Sequence, residues 1–391
     1  MKVVYLSYDG ALDPLGASQV VPYLRGLAAR GHQMHLISFE KPDPWARVEV
    51  RESLERNLHD AGVSWRPLAY HLRPRLPATV WDCAQGSRRL REDVRQQCAS
   101  IVHCRGDVAM AMARWARLPA RVSLLYDMRG FYADERVESG SWSRGSLIDR
   151  VVRNAERANL RRAAGLVVLT EAARRILEAR HRELPARRVI PTCVDLERFR
   201  PRDTGEAEFG VAYVGSLGTW YMTAEMVSLA REAAQVVPGR PLFLTNQPAE
   251  ARNAGATSDW AEVQSVAPGE VPGWLRRATA LFFLIRPTPA KRASCPTKLG
   301  EGLASGLPIL ANAGVGDLDD FLEAERVGVL VRALTPEAVR DALQRLRDLL
   351  RDPETPFRCR RVAEQRYGVP VGVEAYDSLY EALSSDSSRR R

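Results

Sequence analysis

The chain has 391 residues, long enough for two α/β domains, and its 45% hydrophobic and 27% charged content is ordinary for a globular protein. No apolar run reaches about 18 residues, which excludes a transmembrane helix, and the N-terminal MKVVYLSYDG enters a strand directly, unlike a secretory signal. The net charge of +9 is uneven: residues 1–200 hold 34 Lys and Arg against 23 Asp and Glu, a net of +11, and residues 201–391 carry −2.

A basic first half suits an anionic partner, such as a membrane surface or a lipid diphosphate. It equally fits an Arg-rich composition that solvates helices. No zinc-finger spacing or RNA-binding aromatic signature accompanies the charge, so no nucleic-acid partner is expected. The six cysteines (Cys83, Cys98, Cys104, Cys193, Cys295, Cys359) lack paired spacing and read as thiols in a reducing cytoplasm. No metal site is expected.

The first predicted strand is 2–7, apolar and β-branched. Residues 9–19 read as a Gly/Asp/Pro loop, 20–30 as a helix capped by Gly31, and 35–39 as a second strand. This βαβ opening starts a doubly wound sheet, but without the dinucleotide pattern G-x-G-x-x-G. A helix over 46–60, a strand over 63–68, a Pro/Arg-rich connector at 73–77 and a helix over 80–99 follow. The spacing then predicts strands at 100–104, 122–127 and 166–169, and helices at 108–117 and 147–163. Loops read at 105–107 and over 128–140 (MRGFYADERVESG). The polar stretch 201–208 reads as the linker.

The second half repeats the α/β logic. Strands are predicted at 210–214, 242–245, 262–267, 280–285 and 327–331, and helices at 222–235, 271–277 and 336–350. A last helix is expected near 372–383, before a disordered tail, SSDSSRRR. The expected domains are therefore 1–200, 201–365, and a crossover segment 366–391 packing on the first domain.

The most informative segment is 293–317, ASCPTKLGEGLASGLPILANAGVGD. A loop runs into Pro296, suited to the first position of a helix. That helix, roughly 297–305, carries Lys298 and Glu301 one turn apart. Gly306 stops it, and 309–311 reads as a short buried strand. A helix N-terminus offers unpaired N–H groups and a positive dipole end, a ready site for a diphosphate. A carboxylate deeper in the helix could accept hydrogen bonds from a ribose. The plainer reading is an ordinary helix–turn–strand unit.

This segment resembles the donor motif of the retaining glycosyltransferases of family 4, which have the GT-B fold. Glu301, Gly302, Leu303, Ala304, Ser305, Gly306, Leu307 and Pro308 fit its pattern E-x-(A/L)-A-x-G-x-P. The family's earlier glutamate would fall at Ala293, which has no polar side chain for a sugar hydroxyl. The resemblance runs from residues 8–10 to the last helix, at four further loops. Gly16 fits a glycine-rich loop whose second glycine is here Ala17; the plainer reading is a helix cap by Ser18. His103 matches the first histidine of an H-x-H pattern, and Arg105 stands in place of the second, with fixed charged donors. In the charged loop 127–136, Arg129, Asp134 and Glu135 are candidate acceptor residues. Gly215 and Ser216 open a turn that lets backbone approach phosphate. The Arg and Lys often found there are missing between 215 and 223.

The missing charge is expected from Arg286, Lys291, Arg292 and Lys298, since two of the chain's four lysines lie in this region. Lys298 and Arg286 are read as diphosphate contacts that stabilise the leaving nucleotide. Ser294, Pro296, Thr297 and Glu301 complete the expected nucleotide-sugar site; Lys298, Glu301, Arg105 and His103 are the catalytic candidates. The resemblance implies two Rossmann-like domains facing across a cleft. It also implies metal-independent, retaining transfer of a hexose from a UDP- or GDP-sugar, with no separate cofactor, to a lipid-linked or polysaccharide acceptor. A cytoplasmic protein, peripheral on the inner membrane face where its acceptor is lipid-linked, is the matching location. A non-catalytic scaffold, a sugar-nucleotide epimerase and, with less support, a dehydrogenase stay open as alternatives.

Overall fold

The computed structural model describes residues 1–203, 205 and 207–389. Two compact units emerge: Met1–Ile190 with Val369–Arg391, and Pro191–Gly368.

The first unit is built on seven strands: β1 (Lys2–Ser7), β2 (Gln33–Glu40), β3 (Ser64–Ala69), β4 (Ile101–Arg105), β5 (Ser123–Asp127), β6 (Gly165–Val168) and β7 (Ala186–Val189). All pair in parallel, in the order β3-β2-β1-β4-β5-β6-β7. Parallel neighbours need crossovers, and the intervening helices cover both faces, so β1 and β4 are almost wholly buried. The order reverses between β1 and β4, the switch point where open sheets of this kind bind ligands beyond the strand ends.

The second unit repeats the plan with six strands: β8 (Phe209–Val214), β9 (Arg240–Leu244), β10 (Glu262–Gln264), β11 (Ala278–Phe283), β12 (Ile309–Asn312) and β13 (Gly328–Val331). They run parallel in the order β10-β9-β8-β11-β12-β13. Its core joins Tyr213, Phe243, Phe282 and Phe283 to the helix Thr297–Ala304 through Leu299 and Leu303.

The units divide after Ile190, ten residues before the expected boundary. Thr192 donates to the Cys295 carbonyl at 2.7 Å, Val194 N–H to Tyr367 at 2.6 Å, and Phe199 lies in the second core. The predicted linker 201–208 includes residues 204 and 206, which lie outside the described residues. The last helix is longer than expected, Val369–Arg389, so the tail is helical through Arg389; residues 390–391 lie outside the described residues. It belongs to the first unit. Asp377 binds Arg30 at 2.7 Å and His32 at 2.8 Å, and Tyr376 packs edge-on against Tyr23.

Several short helices lie where the sequence reads as loop or connector, among them Pro14–Gln19, Tyr132–Glu138 and Thr355–Val362. The helix expected over 80–99 starts earlier, at Arg75. Among the described residues no helix is long and apolar enough to cross a membrane.

The loop after β1 is held from below. Glu40 accepts Ala11 N–H at 2.9 Å, Leu12 N–H at 3.1 Å and the Ser38 hydroxyl at 2.5 Å. Gly16 sits against this loop so closely that a Cβ would lie 1.9 Å from the Gly10 carbonyl oxygen. Backbone cannot yield as a side chain can. Gly16→Ala should therefore destabilise the first unit by about 3 kcal/mol, lowering its thermal unfolding midpoint; an unchanged midpoint would show that the loop relaxes freely.

Candidate functional site

In the second unit the predicted residues converge at the carboxyl ends of β8 and β11. The helix Thr297–Ala304 begins where expected, but Pro296 is its N-cap, with extended backbone, and not its first helical position. No side chain caps this end. Its first N–H groups have no intrahelical acceptor, so the end carries partial positive charge. Gly306, at φ +74°, ends the helix in the left-handed conformation that glycine adopts without penalty.

Lys298, in the first turn, is buried, and its ammonium makes no hydrogen bond. It rests on aromatic faces, 3.8 Å from the Tyr221 ring centre and 4.2 Å from that of Tyr213. Gly215 makes room for it, because a Cβ there would lie 3.0 Å from Nζ. Burial drives the Lys298 pKa well below its ordinary value, and Glu301 offsets only part of this. An acceptor anion is what this nitrogen lacks.

The surroundings are rigid. Tyr213 donates its hydroxyl to the Ser216 carbonyl, Leu217 N–H reaches Gln247 at 2.8 Å, and Gly218 N–H reaches Thr223 at 3.0 Å. Asn312 ties β12 to the end of β11, accepting Ile285 N–H and donating to its carbonyl, both at 2.8 Å. Ser216 and Arg286 are exposed, whereas Ser294, Thr297 and Glu301 are half-buried. Arg286 forms no ion pair among the described residues. Arg292 is engaged with Asp319 at 2.9 Å, and Lys291 lies 3.9 Å from the Trp220 ring centre. Burial pushes the Glu301 carboxyl up to about 7, against Lys298 and Arg198, which lower it. Sequence reasoning did not single out Tyr213, Tyr221 or Arg198. Both tyrosines were visible, one in β8 and one in the turn after it, but only the fold brings them under one ammonium.

In the first unit the strand-end cluster is of two kinds. Asp127 is fully buried; burial alone would raise its pKa, yet Arg129, His103 and Arg105 hold it well below the usual carboxylate range. Arg129 lies 3.3 Å from it, and Tyr376 donates at 3.1 Å. His103 corrects the expectation of a catalytic histidine. It is 0% exposed, contacts the Tyr380 hydroxyl at 2.7 Å and Asp127 at 3.4 Å, and packs 4.2 Å from the Tyr5 ring. Burial lowers its pKa, so the neutral ring joins β4 to the last helix and is out of reach of a substrate. Asp134 is corrected likewise: it is buried and paired with Arg153 (2.8 Å), Arg180 (3.2 Å) and Arg144 (3.5 Å), an internal ion-pair cluster that commits its charge within the unit. Glu135 is half-buried against Gly130. Gly16 serves packing, and Ser18 sits within the helix Pro14–Gln19, donating to the Pro14 carbonyl and not capping. Arg105 stays buried with two nitrogens lacking hydrogen-bond partners. Among the described residues no cluster of His, Cys, Asp and Glu could hold a metal ion.

Residues 16–193 match the glycosyl transferase 4-like domain. Over the whole chain the fold matches sucrose-phosphate synthase from Thermosynechococcus elongatus, with a TM-score of 0.72, 14% identity, and 99% of this chain and 100% of that one covered. The chain thus carries a match to that domain over residues 16–193 and has the GT-B fold. Anabaena Alr3699/HepE, solved with UDP-glucose, matches the chain at a TM-score of 0.65, with 14% identity and 98% and 100% of the two chains covered. The lipopolysaccharide outer core galactosyltransferase WaaB in its apo form matches at 0.60, with 12% identity and 98% and 99% covered. No curated protein matches the sequence.

The raised pKa of Glu301 gives the protein a signed pH response. Below its unfolded value of 4.5 the carboxyl is protonated in both states; as pH rises through about 7 the folded state must ionise a desolvated group. Its contribution to stability is thus present at low pH and lost on the way up. Urea unfolding of the second unit at about pH 5 and about pH 8 should show wild type losing stability relative to Glu301→Gln; parallel behaviour of the two would mean Glu301 is solvated in the native state.

Proposed function

We propose that the protein transfers a hexose from a UDP- or GDP-sugar, with retention and without a metal, to a polysaccharide or lipid-linked glycan acceptor. The observation that carries this reading is the buried Lys298 ammonium without an acceptor, at an uncapped helix N-terminus beside the Gly215 turn. These groups suit a diphosphate. In this reading Glu301 accepts from the ribose, and the exposed Arg286 adds positive charge. In the reaction the bond from the anomeric carbon to the diphosphate oxygen breaks, and a bond to the acceptor oxygen forms on the same face. The acceptor proton passes to the leaving phosphate oxygen. Lys298 and the helix end stabilise the charge that develops there.

Burial disfavours the charged form of Lys298 and an arriving anion favours it, so UDP binding should be coupled to proton uptake. Calorimetry in two buffers of different ionisation enthalpy measures this. Lys298→Met should abolish the uptake and weaken UDP binding by roughly 1.5–3 kcal/mol, and Glu301→Ala should weaken UDP-sugar binding by roughly 1–3 kcal/mol. Failure of UDP, GDP and their sugars to bind at all would instead favour a non-catalytic scaffold. Product analysis with donor alone separates transfer from epimerisation.

The acceptor side of the reading rests on a second observation. At the start of the helix Arg75–Gln96 in the first unit, Leu72, Leu76, Val80 and Trp81 are each more than half exposed, next to the exposed Arg73. Together with the net +11 of residues 1–200, this surface fits an anionic bilayer, where lipid-linked acceptors reside. The double variant Leu76→Ser/Trp81→Ser should sediment about fivefold less with phosphatidylglycerol vesicles than wild type, the loss expected when apolar area leaves the interface. Equal sedimentation would remove the membrane from the proposal and leave transfer untouched.

A further inference from the structure

We propose that Arg105 is an oxyanion-recognition residue of the first unit, and that the Asp9 carboxylate occupies the place its ligand takes. Arg105 ends β4 and is paired in register with Ser7 of β1 and Asp127 of β5. It therefore stands at the switch point of the sheet, where ligands of such folds bind. Its side chain is 3% exposed, yet Nε and Nη1 have no hydrogen-bond partner.

Two carboxylates lie near but out of hydrogen-bond range: Asp9 is 3.9 Å from Nε, and Asp127 is 3.8 Å from Nη1. Asp127 cannot turn to Arg105, because Arg129, His103 and Tyr376 already hold it. Asp9 differs. Its side chain is 53% exposed, on the loop after β1, and its one ion pair among the described residues is this long one. Its place is fixed through the backbone, where its carbonyl accepts the Ser7 hydroxyl at 2.8 Å.

A guanidinium that served packing alone would be expected to have its donors met, since burying them unmet is costly. Here the unmet Nε is faced by the one carboxylate free to swing into water, and Nη1 by the fixed Asp127. An incoming carboxylate or phosphate would replace Asp9 and accept a charge-assisted hydrogen bond from Nε. Within the sugar-transfer reading, on which this last step rests, the ligand is an acidic sugar: a uronic acid or a sugar phosphate.

Calorimetric titration with glucuronate, glucose 6-phosphate and glucose tests the assignment. Wild type should bind one of the acidic sugars in preference to glucose, and which one it binds decides between carboxylate and phosphate. Arg105→Gln should weaken that binding at least tenfold, and Arg105→Lys less. Asp9→Asn should tighten it severalfold, a gain that a structural role for Arg105 does not produce. No preference for acidic sugars, equal affinity in a folded Arg105→Gln, or weaker binding in Asp9→Asn would each overturn the proposal. Should Arg105→Gln fail to fold, Asp9→Asn decides by itself. UDP binding, measured in the same samples, reads the second unit: its loss with acidic-sugar binding intact overturns the transfer reading and leaves Arg105 as an anion site.

Discussion

Parallel pairing constrains everything else in this molecule. A parallel sheet cannot be closed by hairpins, so each strand is followed by a helical crossover, and all carboxyl ends fall on one edge. The chain does this twice, with seven strands and then six. The polar residues of interest therefore reach their places through strand ends. Arg105 and Asp127 end β4 and β5, Gly215 follows β8, and Lys298 lies in the crossover between β11 and β12. Glycines at the crowded points, Gly16 and Gly215, let backbone or an ammonium come close where a methyl group would collide.

The two units spend buried charge differently. In the first, Asp127 is matched from several sides and carries its charge at little cost. In the second, Lys298 has aromatic faces for company and no acceptor. Cation–π contact compensates only part of a desolvated ammonium. Burial therefore disfavours the charged form of Lys298, and an anion that brings both charge and oxygen lone pairs favours it.

Most strands and long helices were legible because their apolar periodicity is strong: β1, β4, β8 and β11 are nearly continuous runs of buried residues, whereas the exposed edge strand β7 carries no such signal. The motif around Glu301 was legible because Gly306 and Pro308 punctuate it. Short helices such as Pro14–Gln19 and Tyr132–Glu138 were not, since a turn or two of helix carries no readable period and is settled by tertiary contacts. Helix content at the tail was masked by serine and arginine, whose weak periodicity resembles a solvated segment. His103 and Asp134 were misread for a common reason. Each looks like a functional group at a strand end, and only the spatial neighbours, Tyr380 for one and three arginines for the other, reveal that it is saturated.

Ala293 shows how such departures fit together. It ends the short turn Pro289–Ala293 and is buried, so a glutamate there would have to displace packed neighbours before it could reach a ligand. The loss of that carboxylate is thus built into the local packing. The turn after β8 likewise lacks a basic pair, and the cation arrives from Lys298 across the Gly215 gap. In the first unit Arg105 puts a permanent charge where the resemblance leads one to expect an imidazole. In the transfer reading these changes point one way. Recognition through a carboxylate and a titratable ring has given way to recognition by buried cations, which selects for substrates that bring their own negative charge.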